Sequence, residues 1–296
     1  MLLAEVKTIP MPRSPFHLEM PTQRDTAVVF ASPHSGRDYP WDFIRDSVLD
    51  EVTIRSSEDA FVDQLFQSAT EHGAPLLSAT LPRAFVDLNR AADELDPALV
   101  TGARQTGHNP RISSGLGVIP RVVANGREIR QGKMTLAEAQ IRLSDFYFPY
   151  HDCLADLLAS AREKFGYSLL IDCHSMPAEA LKGTSYAFRK TPDVVLGDRF
   201  GASCDPDLMA EIEKLFQNAG LETSRNLPFA GAYVVQRYGK PAVAAHAVQV
   251  EIDRSLYMNE LTLKPSPDFE SFRQMLTGLI ADLAALGRRE MRLAAE

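Results

Sequence analysis

Three apolar runs along the chain each carry or end on a side chain able to do chemistry. Tyr167 to Ile171 (YSLLI) is mostly apolar and β-compatible, stops at Asp172, Cys173 and His174, and turns at Pro177. Thr26 to Ser32 (TAVVFAS) ends in Pro33, His34, Ser35 and Gly36, and Ala242 to Ile252 (AVAAHAVQVEI) holds Glu251 inside an otherwise apolar stretch. Short apolar runs bounded by turn residues predict buried strands of an α/β sheet. His34 and His174 then fall at or just past strand carboxyl ends, the edge at which open α/β sheets bind ligands.

Between these runs the pattern changes period. Asp59 to Ala69 places Phe61, Val62, Leu65 and Phe66 at helical spacing and predicts an amphipathic helix with Glu58 and Asp59 at its first turn, where carboxylates complement the helix dipole. Pro75 to Leu81 reads as a strand and Ala84 to Leu88 as another or its continuation, stopping at Asn89-Arg90. Residues 91 to 133 are rich in Gly, Asp, Asn and Pro and contain Arg104, Arg111, Arg121, Arg127 and Arg130. A loop that long is uncommon unless it covers a site. Thr135 with Glu138 forms a capping box that opens a helix towards Phe165. Further on, Ser185 to Phe188 reads as a short strand and Gly197 to Cys204 as a polar loop. Asp205 and Pro206 start a helix that ends at Asn218-Ala219-Gly220. Asn226 to Gly239 reads as a loop and short strand, and Phe269 to Arg292 as a closing amphipathic helix. Residues 1 to 24 hold four prolines and little periodicity, which predicts an irregular arm. With no repeat and no linker, the alternation predicts one α/β layered domain spanning residues 1 to 296.

Composition narrows the function classes. A chain of 296 residues with 45% hydrophobic and 24% charged residues is ordinary for a soluble globular protein. The formal charge of -8 argues against a nucleic-acid partner, whose phosphates would be repelled. Cys153, Cys173 and Cys204 are odd in number and lack C-x-x-C spacing, so a reduced compartment is expected and no structural zinc knuckle. No window reaches the ~18 apolar residues of a membrane span, and the N-terminus lacks a signal pattern, so a cytoplasmic location is expected.

Two histidines at strand ends and a carboxylate in an apolar strand supply the donor types of a metal site. Four marks occur in order: His34 in SPHSG, Asn89-Arg90 in VDLNR, His174 in IDCHS and Glu251 in VQVEIDRSLYMNE. Together with EDAFVDQLF, FPYHD and GAYVVQRYGKP, they make the chain from about residue 28 to 262 resemble the N-formylglutamate amidohydrolase (deformylase) family, a distant relative of the zinc carboxypeptidases and aspartoacylases. Any one motif alone is weak; their agreement in order is specific.

The resemblance implies a three-layer α/β/α hydrolase fold around a central mixed, mostly parallel sheet, like that of the zinc carboxypeptidases. It implies Zn²⁺, or another divalent transition metal, held by His34, His174 and a carboxylate. The carboxypeptidase relatives take that carboxylate three residues after the first histidine, but here position 37 is Arg. The acidic position of the deformylases matches Asp59, with Glu58 in reserve. Glu251 matches the general base, its proton affinity raised by apolar neighbours. Asn89 and Arg90 match the pair that binds the substrate carboxylate, and Arg121 is the first choice, ahead of Arg37, Arg225 and Arg237, for a second one. Arg237 stands where some deformylases have a histidine. The implied activity is hydrolysis of N-formyl-L-glutamate, or a similar N-acyl acidic amino acid, to formate and glutamate at the end of histidine degradation.

Plainer readings exist for each residue. Asp59 serves a helix dipole equally well, Arg90 pairs with Asp87 or Asp93, and Glu251 pairs with Arg254. His246 lies five residues before Glu251 and faces the other side of an extended strand, and Cys173 likewise points away from His174. The rival functions are a zinc deacylase or carboxypeptidase-like peptidase with a different acyl pocket, and a metal-free protein that binds an acidic metabolite on the same fold.

Overall fold

The computed structural model describes residues 8–9, 14–104, 109–182 and 191–288. Seven strands form its main sheet: β1 (Phe16–Glu19), β2 (Val28–Ser32), β3 (Leu76–Ala79), β4 (Ser168–Met176), β5 (Val194–Gly197), β6 (Thr223–Arg225) and β7 (Ala245–Asp253). Their order across the sheet is β6-β5-β7-β4-β2-β3-β1. The four inner neighbours β7, β4, β2 and β3 run parallel, β7 meets β5 antiparallel, β5 and β6 run parallel, and β1 closes the far edge antiparallel to β3. The sheet is mixed and mostly parallel. The N-terminal stretch, expected to be irregular, supplies the edge strand β1.

Helices cover both faces. They are α1 (Leu136–Arg142), α2 (Phe148–Phe165), α3 (Pro206–Asn218), α4 (Tyr233–Tyr238) and α5 (Phe269–Leu286), with several shorter turns between. Alternate strand residues sort into two cores. Val29, Ala31, Leu170 and Ala247 pack on one face with Tyr150, Leu154 and Leu158 of α2. Val28, Phe30, Leu169, Ile171, Val248 and Val250 pack on the other with Ile212 of α3 and Leu276 and Ile280 of α5. Burial on both faces explains why these strands read as unbroken apolar runs rather than as alternating ones. The result is a three-layer α/β/α arrangement.

The capping box at Thr135 and Glu138 is present, and Asp205 caps α3 with Pro206 in its first turn. The helix from Thr135 passes through a π-turn at Leu143–Tyr147 before continuing as α2. Pro149 has no N–H to give to the preceding turn, and the wider turn absorbs the missing bond.

Four local expectations are corrected. The 59–69 segment has only a single turn, Val62–Leu65, followed by a 3-10 stretch at Gln67–His72, because Phe61 has φ +68° and breaks the helix after Asp59. Ala84 to Leu88 turns instead of extending, with Phe85 N–H and Val86 N–H both donating to the Pro82 carbonyl. The Tyr233 region is helical, not extended, despite its β-branched residues. His174 lies inside β4, which runs on to Met176. The strand expected at Ser185 to Phe188 lies outside the described residues, as do residues 289 to 292 of the closing helix.

Candidate metal centre

One strand and two loops bring three candidate ligands together. His34 follows β2 in a loop that passes so close to residues 80–81 that a Cβ at Gly36 would sit 2.0 Å from the Leu81 carbonyl oxygen. Only glycine fits there, which accounts for the glycine of SPHSG. The Asp59 N–H donates to the His34 carbonyl at 3.1 Å, so the loop carrying Asp59 is tied to the one carrying His34. His174 is a buried residue of β4 on the face that carries Leu170. The ligand atoms of His34, Asp59 and His174 all lie within 4.8 Å of one another, and all three residues are buried.

The tautomers follow from the partners. His34 Nε2 sits 2.8 Å from Asp87 Oδ1, which directs its N–H there and leaves the Nδ1 lone pair facing Asp59 Oδ2 at 3.4 Å. That Nδ1 is buried and has no hydrogen-bond partner. His174 Nε2 lies 3.1 Å from Asp172 Oδ2, and its Nδ1 lies 2.9 Å from the same Asp59 Oδ2. Asp59 Oδ1 is occupied by Arg254 Nη2 at 2.9 Å, so Oδ2 is the oxygen turned to both imidazoles. Imidazoles backed by carboxylates, with a carboxylate between them, form the donor set of a divalent cation. A buried imidazole nitrogen that faces Asp59 and has no hydrogen-bond partner among the described residues fits that use. Glu58, the reserve ligand, is turned away: Tyr39 Oη and Arg55 both donate to it.

Electrostatics point the same way. Burial opposes ionisation of Asp59, but the hydrogen bond from His174 and the nearby His34 imidazole outweigh it and hold the carboxyl well below its usual range. Burial would depress His174, yet Asp172 and Asp59 hold its imidazole well above the ordinary value. A metal-free site thus keeps a proton that a cation would displace. Glu251 is the register partner of His174 in β7, buried, and pushed up to about 7 chiefly by desolvation. A carboxylate with that proton affinity is matched to proton transfer near neutral pH.

A cavity of about 420 Å³ opens beside the cluster, with Glu251, Asp87, Arg83 and Arg254 in its wall. Ser114, Leu116, Val122 and Asn125 line its other side, so the long 91–133 loop covers the site as expected. None of the three residues expected to bind substrate lines it. Asn89 Oδ1 accepts from the Val234 N–H at 2.8 Å. Arg90 Nε donates to the Leu116 carbonyl and Nη1 to the Asn89 carbonyl, at 3.0 and 2.8 Å. Arg121 is paired with Asp96 at 2.9 Å. Arg254 binds Asp59 rather than Glu251.

Of the two arginines that line the cavity, Arg254 is held by Asp59, and Arg83 is fixed through Nε by Asp87 at 3.0 Å. Sequence reading missed Arg83. The available signal was its place four residues before Asp87 in PRAFVDLNR, within the same motif as Asn89 and Arg90. Asp87 and Asp172, the carboxylates behind the imidazoles, were equally unread, although each stands in a motif quoted for its neighbour.

The sequence profile of the N-formylglutamate amidohydrolase family matches residues 26–258. The N-formylglutamate deformylase of Pseudomonas aeruginosa is 33% identical over 247 residues, covering 81% of this chain and 86% of that protein. The Pseudomonas putida protein of the same name is 32% identical over 237 residues, covering 79% and 82%. The crystal structure of N-formylglutamate amidohydrolase from Ralstonia eutropha JMP134 superposes with a TM-score of 0.87 at 34% identity, covering 93% of this chain and 99% of that one. A gene product of Agrobacterium tumefaciens, at 16% identity and a TM-score of 0.65, shares the fold. The profile spans most of the sequence, and with two relatives above 30% identity over about four fifths of its length, the chain belongs to the N-formylglutamate amidohydrolase family.

Proposed function

We propose that this chain is a zinc-dependent amidohydrolase that converts N-formyl-L-glutamate, or a closely similar N-acyl acidic amino acid, to formate and glutamate. The observation that carries the reading is the buried His34–Asp59–His174 cluster with Glu251 beside it, in a chain similar to proteins named N-formylglutamate deformylase. Two imidazole nitrogens and one carboxylate oxygen suit zinc, with other divalent transition metals able to use the same donors.

A cation held there supplies Lewis acidity, which makes water a nucleophile at neutral pH and polarises an amide carbonyl. His34 presents Nδ1 with Asp87 on its Nε2, His174 presents Nδ1 with Asp172 at 3.1 Å and the Asn89 amide at 3.3 Å from its Nε2, and Asp59 presents Oδ2. Glu251 takes the proton from the attacking water and passes it to the leaving nitrogen. Gln249 occupies Oε1 of Glu251, so Oε2 is the oxygen that exchanges the proton. Arg83 lines the cavity with its Nε on Asp87, and its terminal nitrogens would bind a substrate carboxylate or the oxygen on which negative charge develops. Asn89, Arg90 and Arg121 support substrate binding from behind, by holding the walls through the contacts described above.

The whole catalytic apparatus belongs to one domain, residues 1–296, acting on a small acidic molecule in the cytoplasm without nucleic acid or membrane. No helix among the described residues is long and apolar enough to cross a membrane. Formate release from N-formyl, N-acetyl and longer N-acyl derivatives of glutamate and aspartate tests the proposal. N-formyl-L-glutamate is expected to give the highest kcat/KM, and no turnover of any of them would refute it.

A further inference from the structure

Gln249 lies two residues before Glu251 on β7, on the same face of the strand, and is buried. Its amide orientation is dictated by a backbone donor. The Ala232 N–H reaches the Gln249 side chain at 2.9 Å, and only the oxygen can accept it, so Oε1 faces Ala232. Nε2 must then face Glu251, and it donates to Oε1 at 2.7 Å. The same logic fixes Asn89: the Val234 N–H requires its Oδ1, which turns Nδ2 towards His174 Nε2 at 3.3 Å and Gln249 Oε1 at 3.4 Å. Two amide side chains thus form a directed chain from the start of α4 to one oxygen of the base.

We infer that Gln249 is a positioning residue for Glu251: it holds Oε1, leaves Oε2 as the only oxygen free to exchange protons, and is itself oriented by Ala232 and Asn89. This deepens the functional reading above and rests on it. A carboxylate free to rotate would divide its time between productive and unproductive geometries, whereas a bond of 2.7 Å to a wedged amide removes that freedom. The arrangement also gives Asn89 a role inside the protein, in place of direct substrate contact.

Two substitutions separate this role from simple packing. Gln249→Glu keeps the acceptor for Ala232 and removes the donor to Glu251. Gln249→Met keeps the shape and removes both. Each is expected to retain wild-type metal content, to lower kcat about tenfold to a hundredfold, and to change KM by less than about twofold. Should Gln249→Met fail to fold, Gln249→Glu answers the question alone. In a Glu251→Gln background neither substitution should lower the residual rate further, because a residue acting only through the base has nothing left to position. Wild-type kcat in Gln249→Glu, or a full additional loss in the Glu251→Gln background, would overturn the inference. A wild-type protein that hydrolyses no acyl amino acid would instead refute the functional reading beneath it.

Discussion

Glu251 and His174 are directly opposed register partners in adjacent parallel strands, β7 and β4, so their side chains leave the same face of the sheet side by side. Gln249 and Asp172 are the partners one step earlier on that face. The proposed base, the residue inferred to orient it, a proposed metal-ligating histidine and the carboxylate beside that histidine are therefore set by a single strand pairing. Parallel register is rigid because a slip by one residue would turn all of these side chains to the other face.

That arrangement separates metal binding from proton transfer. His174→Ala or Asp59→Ala should abolish metal content and formate release together. Glu251→Gln should keep stoichiometric metal and lose roughly 10²- to 10⁴-fold in kcat, the usual contribution of a general base. Elemental analysis beside a rate assay checks both, and a Glu251→Gln enzyme with most of its activity would remove the base assignment.

The carboxylates behind the imidazoles give an effect on affinity rather than on stoichiometry. Asp87→Asn and Asp172→Asn should each weaken metal binding about 10- to 100-fold while leaving the fold in place. Competition against a chelator of known affinity measures this. Unchanged affinity in both variants would mean that the imidazoles are oriented by something else.

The arginines can be ranked by where they sit. Arg83 lines the cavity, whereas Arg90 is bound to backbone carbonyls and Arg121 to Asp96. Arg83→Ala should therefore lower kcat/KM by about tenfold to a hundredfold, as expected for loss of a charged hydrogen bond. Arg121→Ala should change it by less than about threefold. The reverse order would return the substrate carboxylate to the loop arginine that sequence reading favoured.

His151 of α2 provides a pH signature away from the metal ligands. It is buried between the Leu88 carbonyl and Tyr238 Oη, and desolvation, with Arg237 nearby, pushes it down to about 3. Because the folded state binds the proton more weakly than the unfolded chain, this group's stabilisation is complete above pH about 6.5 and is lost as pH falls towards 3. The loss approaches 5 kcal/mol over the full window, at about 1.4 kcal/mol per unit. Urea titrations at pH 7 and 4.5 should show His151→Gln less stable than wild type at pH 7, with the gap narrowed or reversed at pH 4.5. A constant gap would contradict the assignment.

Much of the framework could be read from sequence because it was written in runs. The three apolar stretches became β2, β4 and β7, and the motifs that close or interrupt them placed His34, His174 and Glu251 at one edge of one sheet. Capping chemistry at Thr135 and Asp205 was equally plain, since it is local. What escaped reading depends on contacts between distant segments. Glu58 and Asp59 are neighbours with the same chemistry, and they are told apart by their contacts: Tyr39 and Arg55 hold Glu58, whereas Arg254, far along the chain, holds Asp59. The amphipathic spacing from Phe61 to Phe66 reports burial correctly but not the broken helix that achieves it. Arg83 is marked only by its place four residues before Asp87 in PRAFVDLNR, and the contacts of Asn89 with Val234 and Gln249 are made to segments far along the chain.

The most direct test of a cation-dependent site at His34, Asp59 and His174 is zinc titration of the chelated wild-type protein with formate release from N-formyl-L-glutamate as readout. Activity should start near zero, rise in proportion to added zinc and break at one equivalent per chain. Full turnover in the chelated protein before any metal is added would contradict the account.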